Sequence, residues 1–140
     1  MTKSSPPVAP KAPVANSLAI VFDPIDEKLF DGTAKAWAVK LNEAKKESNK
    51  STQLRRFYDE ICMWAEKVGD KKEKYDELIP FIRMLNAKTA YAYGRKELVD
   101  KSFVELMDKC LKQVTDPKTL QRFKLFMEAI MGFYKEKRSN

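Results

Sequence analysis

Apolar side chains recur at helical spacing along most of the chain. The clearest stripe lies between residues 52 and 68, where one face of a helix would carry Leu54, Phe57, Tyr58, Ile61, Trp64, Ala65 and Val68. Similar stripes occupy residues 33–46, 71–95 and 98–114, and a wider one follows Pro117. No pair of strands is evident, so the pattern predicts an all-α protein, a bundle of five to six helices.

Capping residues mark two helix starts. Ser51 or Thr52 is the predicted N-cap of the helix over residues 52–68, because a hydroxyl can accept from the first free backbone N–H groups. Asp116 as N-cap and Pro117 in the first turn predict the start of the last helix.

Glycine and proline mark the breaks. Gly69 is a predicted stop, and the Asp31-Gly32 pair is predicted to separate a short turn from the helix over residues 33–46. Pro80 predicts either a kink or two helices within residues 71–95.

The first 17 residues differ from the rest of the chain. They contain four of the seven prolines and no aromatic residue, which predicts a disordered Pro-rich arm ahead of a single domain over residues 18–140. Two interpretations of the arm stay open, a tail without a role and a binding motif. The apolar run over residues 18–22 is expected to pack on the bundle as an extended segment or short helix.

Composition then narrows the function. The net charge of +7 and the pI near 9.3 favour a polyanionic partner, such as nucleic acid or an acidic membrane surface, although charge also serves solubility. The chain has no histidine, which excludes histidine-based nucleophilic catalysis and histidine metal sites. Cys62 and Cys110 are expected to be free thiols. No convergent carboxylates or phosphate-binding loop are evident, so we expect no enzymatic activity, no catalytic residue, no metal and no cofactor.

We expect a cytoplasmic protein. No apolar run approaches the roughly 18 to 20 residues that span a bilayer, and no signal peptide pattern is visible near residue 1. A membrane partner is therefore not expected.

Two arginines follow the predicted start of the helix over residues 52–68. A helix N-terminus carries about half a positive charge, so Arg55 and Arg56 oppose the dipole, and pairs with Asp59 and Glu60 would compensate only weakly. A phosphate at this end would be bound by free N–H groups and by the guanidinium groups. Phosphate contact and a solvated helix face both remain open, with Lys46 and Lys50 as neighbouring cations.

A second basic flank lies further along the chain. Lys88 and Arg95 are seven residues apart, so they project from one side of a helix with Tyr91 between them. Such a flank can follow a phosphate backbone and stack a base, although Tyr91 as boundary core, with the lysine side chain lying over it, is the more common arrangement for a lone helix flank. The predicted RNA-binding residues are thus Lys46, Lys50, Arg55, Arg56, Lys88, Tyr91 and Arg95.

The last helix has an apolar arc wide enough to be central or to contact another subunit. Phe126 and Phe133 lie on its second strip and suggest self-association. The basic residues at its end, Lys135, Lys137 and Arg138, suit the negative end of the helix dipole and need no ligand.

The sequence resembles the small subunit of the type III-A CRISPR effector, the Csm complex. Three motifs carry the resemblance across residues 28–137: S51-T-Q-L-R-R-F-Y58, A90-Y-A-Y-G-R95 with Lys88 upstream, and F123-K-L-F-M-E-A-I-M-G-F-Y134. Two features depart from the family, Asn86 where a basic residue is expected and the Pro-rich arm.

The resemblance implies a non-catalytic helical subunit of an antiviral defence complex. Several copies would stack as an inner filament beside other effector subunits and line the channel that holds target RNA paired with guide RNA. The family's phosphate contacts would fall on Arg55 or Arg56, on Lys88 and on Arg95. A helical adaptor whose basic face docks a protein, without touching RNA, remains the alternative.

Overall fold

The computed structural model describes residues 18–138, and in this range it contains helices and no strand. The predicted Pro-rich arm over residues 1–17 lies outside the described residues. A π-helical turn (Leu29–Thr33) leads into six α-helices: α1 (Ala34–Asn42), α2 (Ser51–Val68), α3 (Lys72–Ile82), α4 (Met84–Gly94), α5 (Lys101–Gln113) and α6 (Pro117–Lys137). The prediction of an all-α bundle is confirmed.

The apolar segment ahead of the bundle packs as predicted, without regular secondary structure beyond a turn at its start. Phe22 is completely buried, and its ring centroid lies 6.0 Å from that of Phe123 and 5.8 Å from that of Phe126. The indole Nε1 of Trp37 donates to the Leu18 carbonyl at 3.0 Å, which ties the segment to α1. Phe22 thus anchors the segment to α6.

The Asp31-Gly32 pair does not interrupt the helical backbone, so the predicted break before the helix over residues 33–46 is wrong. Both residues lie inside the π-helical turn, which continues directly into α1. Leu29 and Thr33 on this turn are buried, and their packing on the core outweighs the weak helix propensity of glycine.

Two predicted helix boundaries are also wrong. The first helix ends at Asn42 rather than near residue 46, and the fifth begins at Lys101 rather than near residue 98. Lys96 and Glu97 have positive φ angles, which no helix contains, and the Asp100 side chain accepts from the Phe103 N–H as an N-cap.

The long segment around Pro80 is two helices, one of the alternatives predicted. Pro80 lies in the last turns of α3, and α4 begins after Arg83. The Arg83 guanidinium donates to the carbonyls of Leu111 and Val114 at 2.9 and 3.0 Å, at the end of α5. Arg83, which lies between α3 and α4, therefore supplies hydrogen bonds to the C-terminus of α5.

α6 is the central helix. It packs mainly against α1 and α2, while α4 packs on α5. Phe126 is completely buried inside the bundle, which removes it from any surface strip, and Phe133 is only partly exposed. The wide apolar arc of α6 therefore reflects its central position, the first of the two predicted explanations. Both cysteines are free, and burial raises the pKa of the Cys110 thiol.

Candidate nucleic-acid interface

The predicted basic residues lie on two sides of α2. The backbone N–H of Asn49 donates to the Leu98 carbonyl at 2.9 Å, and Lys88 reaches Glu60, so α2 and α4 run antiparallel. In this arrangement Arg56 lies at the level of Tyr91 on α4. Arg55, about 100° further round the helix, faces α6 instead. The structure therefore groups Arg56 with Lys88, Tyr91 and Arg95, and separates Arg55 from them.

The N-terminus of α2 has no side-chain cap, so the prediction of Ser51 or Thr52 as N-cap is wrong. Lys50 occupies the N-cap position in an extended conformation, and Ser51 is already the first helical residue. The Ser51 Oγ is buried and has no hydrogen-bond partner among the described residues. The positive end of the α2 dipole is therefore not compensated by any side chain at the cap.

Arg55 makes the local contacts expected of a solvated helix face. Its Nε lies 3.3 Å from the Asp59 carboxylate, and its guanidinium carbon lies 5.9 Å from the centre of the Tyr58 ring. It also borders a groove of about 560 Å³ that α6 lines with Met131 and Lys135. The compensating pair predicted for Arg55 is therefore present.

The pair predicted between Arg56 and Glu60 is absent. Glu60 is held by Lys88, whose Nζ lies 3.0 and 2.9 Å from its two carboxylate oxygens, and by Trp64, whose Nε1 lies 3.1 Å from Oε2. The side chain of Arg56 makes no hydrogen bond or ion pair with a described residue and is exposed. Arg56 thus carries an uncompensated positive charge at the α2/α4 edge, and Lys88 does not.

Tyr91 is not boundary core. It is 69% exposed, the most exposed of the large apolar and aromatic side chains in the described range. It lies one turn from Lys88 and one turn from Arg95, which follows α4 as its C-cap residue. Arg95 is exposed and its side chain has no polar partner among residues 18–138. We call this stretch, with Arg56, Glu60, Lys88, Tyr91 and Arg95, the α2/α4 edge.

Lys46 and Lys50 flank the same end of α2 on the linker between α1 and α2. Both are exposed, and Lys45 beside them pairs with Glu97 at 3.5 Å. The linker is fixed against the loop after α4 because the Ser48 hydroxyl donates to the Glu97 carbonyl at 2.6 Å. The linker that carries Lys46 and Lys50 is therefore held beside the loop that follows Arg95.

Asn49 and Arg138 fix this linker; the sequence assigned Asn49 no role and Arg138 only an interaction with the helix dipole. Asn49 is buried with a positive φ of 58°, and its side-chain amide donates to Leu41 and Asp100. Arg138 donates to the carbonyls of Ala44, Lys45 and Ser48. The only signal in the sequence was Asn49 itself, since asparagine tolerates positive φ.

Other chemistry finds little support in the described range. No group of three or more acidic or cysteine side chains there is arranged to hold a metal ion. In the same range, every helix is too short or too polar to cross a bilayer.

A family comparison covers most of the chain. The profile described as Csm2 Type III-A matches residues 26–140, which include all the helices and the whole α2/α4 edge. The chain belongs to the Csm2 family of type III-A systems. The resemblance inferred from the three sequence motifs is thereby confirmed.

A curated Csm2 relative gives a shorter match. The protein described as CRISPR system Cms protein Csm2, from Streptococcus thermophilus, is 36% identical over 69 residues, which cover 46% of this chain. The aligned part spans 54% of that protein, about half of its length. No solved structure matches the chain significantly.

Proposed function

We propose that the chain is a non-catalytic small subunit of a type III-A CRISPR effector complex, and that its α2/α4 edge binds the backbone of target RNA without reading its sequence. Membership of the Csm2 family supports the first part. The observation that carries the second is the pairing state of the cations: Arg56 and Arg95 are exposed and without polar partners in the described range, on either side of the exposed ring of Tyr91.

The physical basis is electrostatic. Lys50 lies at the uncapped N-terminus of α2 and Arg56 in its second turn, where the helix dipole adds positive potential. Arg95 follows α4 in the loop that is hydrogen-bonded to the linker before α2. A phosphate there gains charge-assisted hydrogen bonds and displaces no side chain that already holds these guanidinium groups. Phosphate oxygens carry no base identity, so binding of this kind is independent of sequence. In the complex, the RNA would be target strand paired with guide, and copies of the subunit would associate as a filament.

Salt dependence tests the proposal. If three to five phosphates are contacted, the logarithm of the association constant for a fluorescent single-stranded RNA should fall with the logarithm of the salt concentration, with a slope of roughly −2 to −3.5. The Arg55→Ala/Arg56→Ala double variant should weaken binding and make the slope shallower by about 0.7 for each phosphate contact that it removes. Arg56→Ala alone should account for most of the loss, because Arg55 is already paired with Asp59.

The matched control removes two other charges. Lys67 lies in the last turn of α2 and Lys74 in the first turn of α3, and both are exposed. The Lys67→Ala/Lys74→Ala variant therefore changes the net charge as much as the double arginine variant does but leaves the α2/α4 edge intact. Equal slopes for the two double variants would contradict an RNA site at this edge. Affinity without any salt dependence would contradict backbone binding altogether.

A second function is favoured by an apolar feature beside the same edge. Phe81 and Met84 are 54% and 51% exposed, and Met84 lies one turn from Lys88 on α4. An adaptor that docks another protein would use such side chains as anchors. Cross-linking in the assembled complex separates the two functions: adducts between RNA and Tyr91 or α2 support RNA binding, whereas adducts from the edge only to protein support the adaptor.

A further inference from the structure

The pair between Glu60 and Lys88 lies at one end of the α2/α4 edge, one turn of α4 before Tyr91 and two turns before Arg95. Both carboxylate oxygens of Glu60 lie within 3.0 Å of the Lys88 ammonium group. The indole N–H of Trp64 holds the carboxylate from its own helix at 3.1 Å. The Glu60 side chain is 21% exposed and that of Lys88 is 48% exposed, so the carboxylate is the more buried partner.

A carboxylate bound to an ammonium group occupies the position that a phosphate oxygen would take. While the pair is intact, Lys88 adds almost no positive charge to the edge, and Glu60 repels an approaching phosphate. A partly exposed pair of this kind contributes little to folding, so bundle stability gives it only a weak reason to be present. The two arginines further along the edge, Arg56 and Arg95, are in a different state because no carboxylate of the described residues holds them.

We propose that Glu60 is an intramolecular competitor for phosphate, which withholds Lys88 until a continuous RNA strand is bound at Arg56 and Arg95. A single phosphate or mononucleotide must break the pair in exchange for one contact. A strand anchored at Arg56 and Arg95 presents its next phosphate to Lys88 at high local concentration, so exchange of Glu60 for that phosphate becomes favourable. The edge then discriminates a polynucleotide from free nucleotides. This inference rests on the proposed RNA binding.

Glu60→Gln tests it with little change of shape. The glutamine oxygen can still accept from Trp64, whereas the negative charge beside Lys88 is removed. Affinity for single-stranded RNA should rise by up to about fivefold. The salt dependence should become steeper by up to about 0.7, because Lys88 then neutralises a phosphate in every bound complex rather than in the part of them that displaces Glu60. Binding of a mononucleotide should rise by a larger factor than binding of the strand, since the strand already displaces part of the pair in the native protein.

The control is Glu66→Gln. Glu66 is an exposed acid on the same helix, six residues further on and on another face, so its loss changes the net charge equally. The same slope in Glu60→Gln and Glu66→Gln would overturn the inference. A steeper slope that persists when Lys88→Ala is added to Glu60→Gln would overturn it too, because the charge released must be that of Lys88.

The result also separates this inference from the proposed function. Salt-dependent binding by the native chain that is lost in Arg56→Ala but unaffected by Glu60→Gln would leave RNA binding standing and remove the competitor. An absence of salt-dependent binding in the native chain and in both glutamine variants would remove both proposals.

Discussion

Arg138 joins the end of α6 to a linker that lies some ninety residues earlier in the chain. Its guanidinium donates to the backbone carbonyls of Ala44, Lys45 and Ser48 and to the side-chain oxygen of Asn42. The guanidinium carbon also lies 5.7 Å from the centre of the Tyr134 ring. These three carbonyls lie beyond the last residue of α1, Asn42, so they accept no helical hydrogen bond from a backbone N–H group. Arg138 therefore replaces the hydrogen bonds that another turn of α1 would have made.

Arg138→Ala is expected to reduce the free energy of unfolding by about 2 to 4 kcal/mol, because several backbone carbonyls lose a charged donor at once. Urea unfolding followed by tryptophan fluorescence measures the change. Lys135→Ala removes a neighbouring exposed cation and should stay within about 0.5 kcal/mol of the native value. Arg138→Lys should recover little, since one ammonium group cannot reach the same set of oxygens. A native-like midpoint for Arg138→Ala would contradict this role.

At this scale the sequence predicted local side-chain pairs better than pairs between distant residues. Arg55 and Asp59 pair as expected because they are four residues apart on one helix. Glu60 does not pair with Arg56, because Lys88, 28 residues away in sequence, competes for it across the α2/α4 edge. Arg138 was explained by the helix dipole alone, and its carbonyl partners carry no residue pattern that a sequence can show. Long-range polar contacts depend on the packing, which the hydrophobic pattern does not specify in such detail.

Helix ends are determined by short polar sequences, and α6 has the best defined start. Asp116 accepts from the backbone N–H of Thr119 at 2.8 Å, and the Thr119 hydroxyl accepts from the N–H of Asp116 at 3.0 Å. This reciprocal capping box confirms the N-cap predicted from the sequence. The hydrogen bond from the Thr119 N–H is the main cause that lowers the pKa of the Asp116 carboxyl below its usual range.

Asp116→Ala should lower the free energy of unfolding at pH 7 by about 1 kcal/mol, the usual cost of losing an N-cap. Because the folded-state pKa is depressed, the charge-dependent part of this stabilisation is present above the usual aspartate pKa and is lost as the pH falls through the lowered value. Unfolding measured between about pH 2 and pH 7 tests this behaviour. Asp116→Asn is the matched variant: it should keep most of the cap at pH 7 and lack this part of the acid sensitivity. An identical pH profile for native protein and Asp116→Asn would contradict the assignment.

The predicted elements differ from the observed ones mainly where the backbone leaves the helix. The capping box of α6 is a local pattern, so its position was predicted correctly. The start of α5 was placed too early because Leu98 and Val99 continue the apolar pattern, although positive φ angles at Lys96 and Glu97 redirect the chain before Asp100 caps the helix. Similarly, α2 lacks the expected hydroxyl cap because Asn49, one residue before Lys50, turns the chain into the helix.

Across the whole molecule, the bundle is closed on one side by the segment before the first helix. Phe22 is completely buried against α6, and its backbone N–H lies 3.3 Å from the side-chain oxygen of Gln113 on α5. The Phe22 carbonyl also accepts from Arg122 at 2.7 Å. This segment therefore belongs to the folded core.

Phe22→Ala should reduce the free energy of unfolding by about 3 to 5 kcal/mol, the range for a large buried aromatic residue. Val21→Ala is the neighbouring control, because Val21 is exposed and its loss should matter little. Removal of residues 1–17 should leave the unfolding free energy within about 0.5 kcal/mol of the native value if the domain begins at residue 18. Denaturant titration of the three variants measures these differences. A large loss on removal of residues 1–17 would move the domain boundary toward the N-terminus.

The helical class followed from periodicity because six amphipathic helices leave a repeated pattern in the sequence. The arrangement of the candidate site did not follow from it. Six of the seven predicted residues were chosen for their charge and Tyr91 for its place between two of them, yet the separation of Arg55 from the α2/α4 edge depends on the antiparallel arrangement of α2 and α4. Only the assembled bundle shows that Arg55 and Arg56 face different neighbours.

The fixed linker between α1 and α2 has a consequence for the energetics of association. Hydrogen bonds from Ser48 and Asn49 hold it against the loop after α4, and Arg138 ties it to the end of α6. The N-terminus of α2 and the C-terminus of α4 are consequently preorganised, and little backbone entropy remains to be lost when a ligand arrives. For such a surface, the rate of association should depend on diffusion and ionic strength rather than on a slow conformational step.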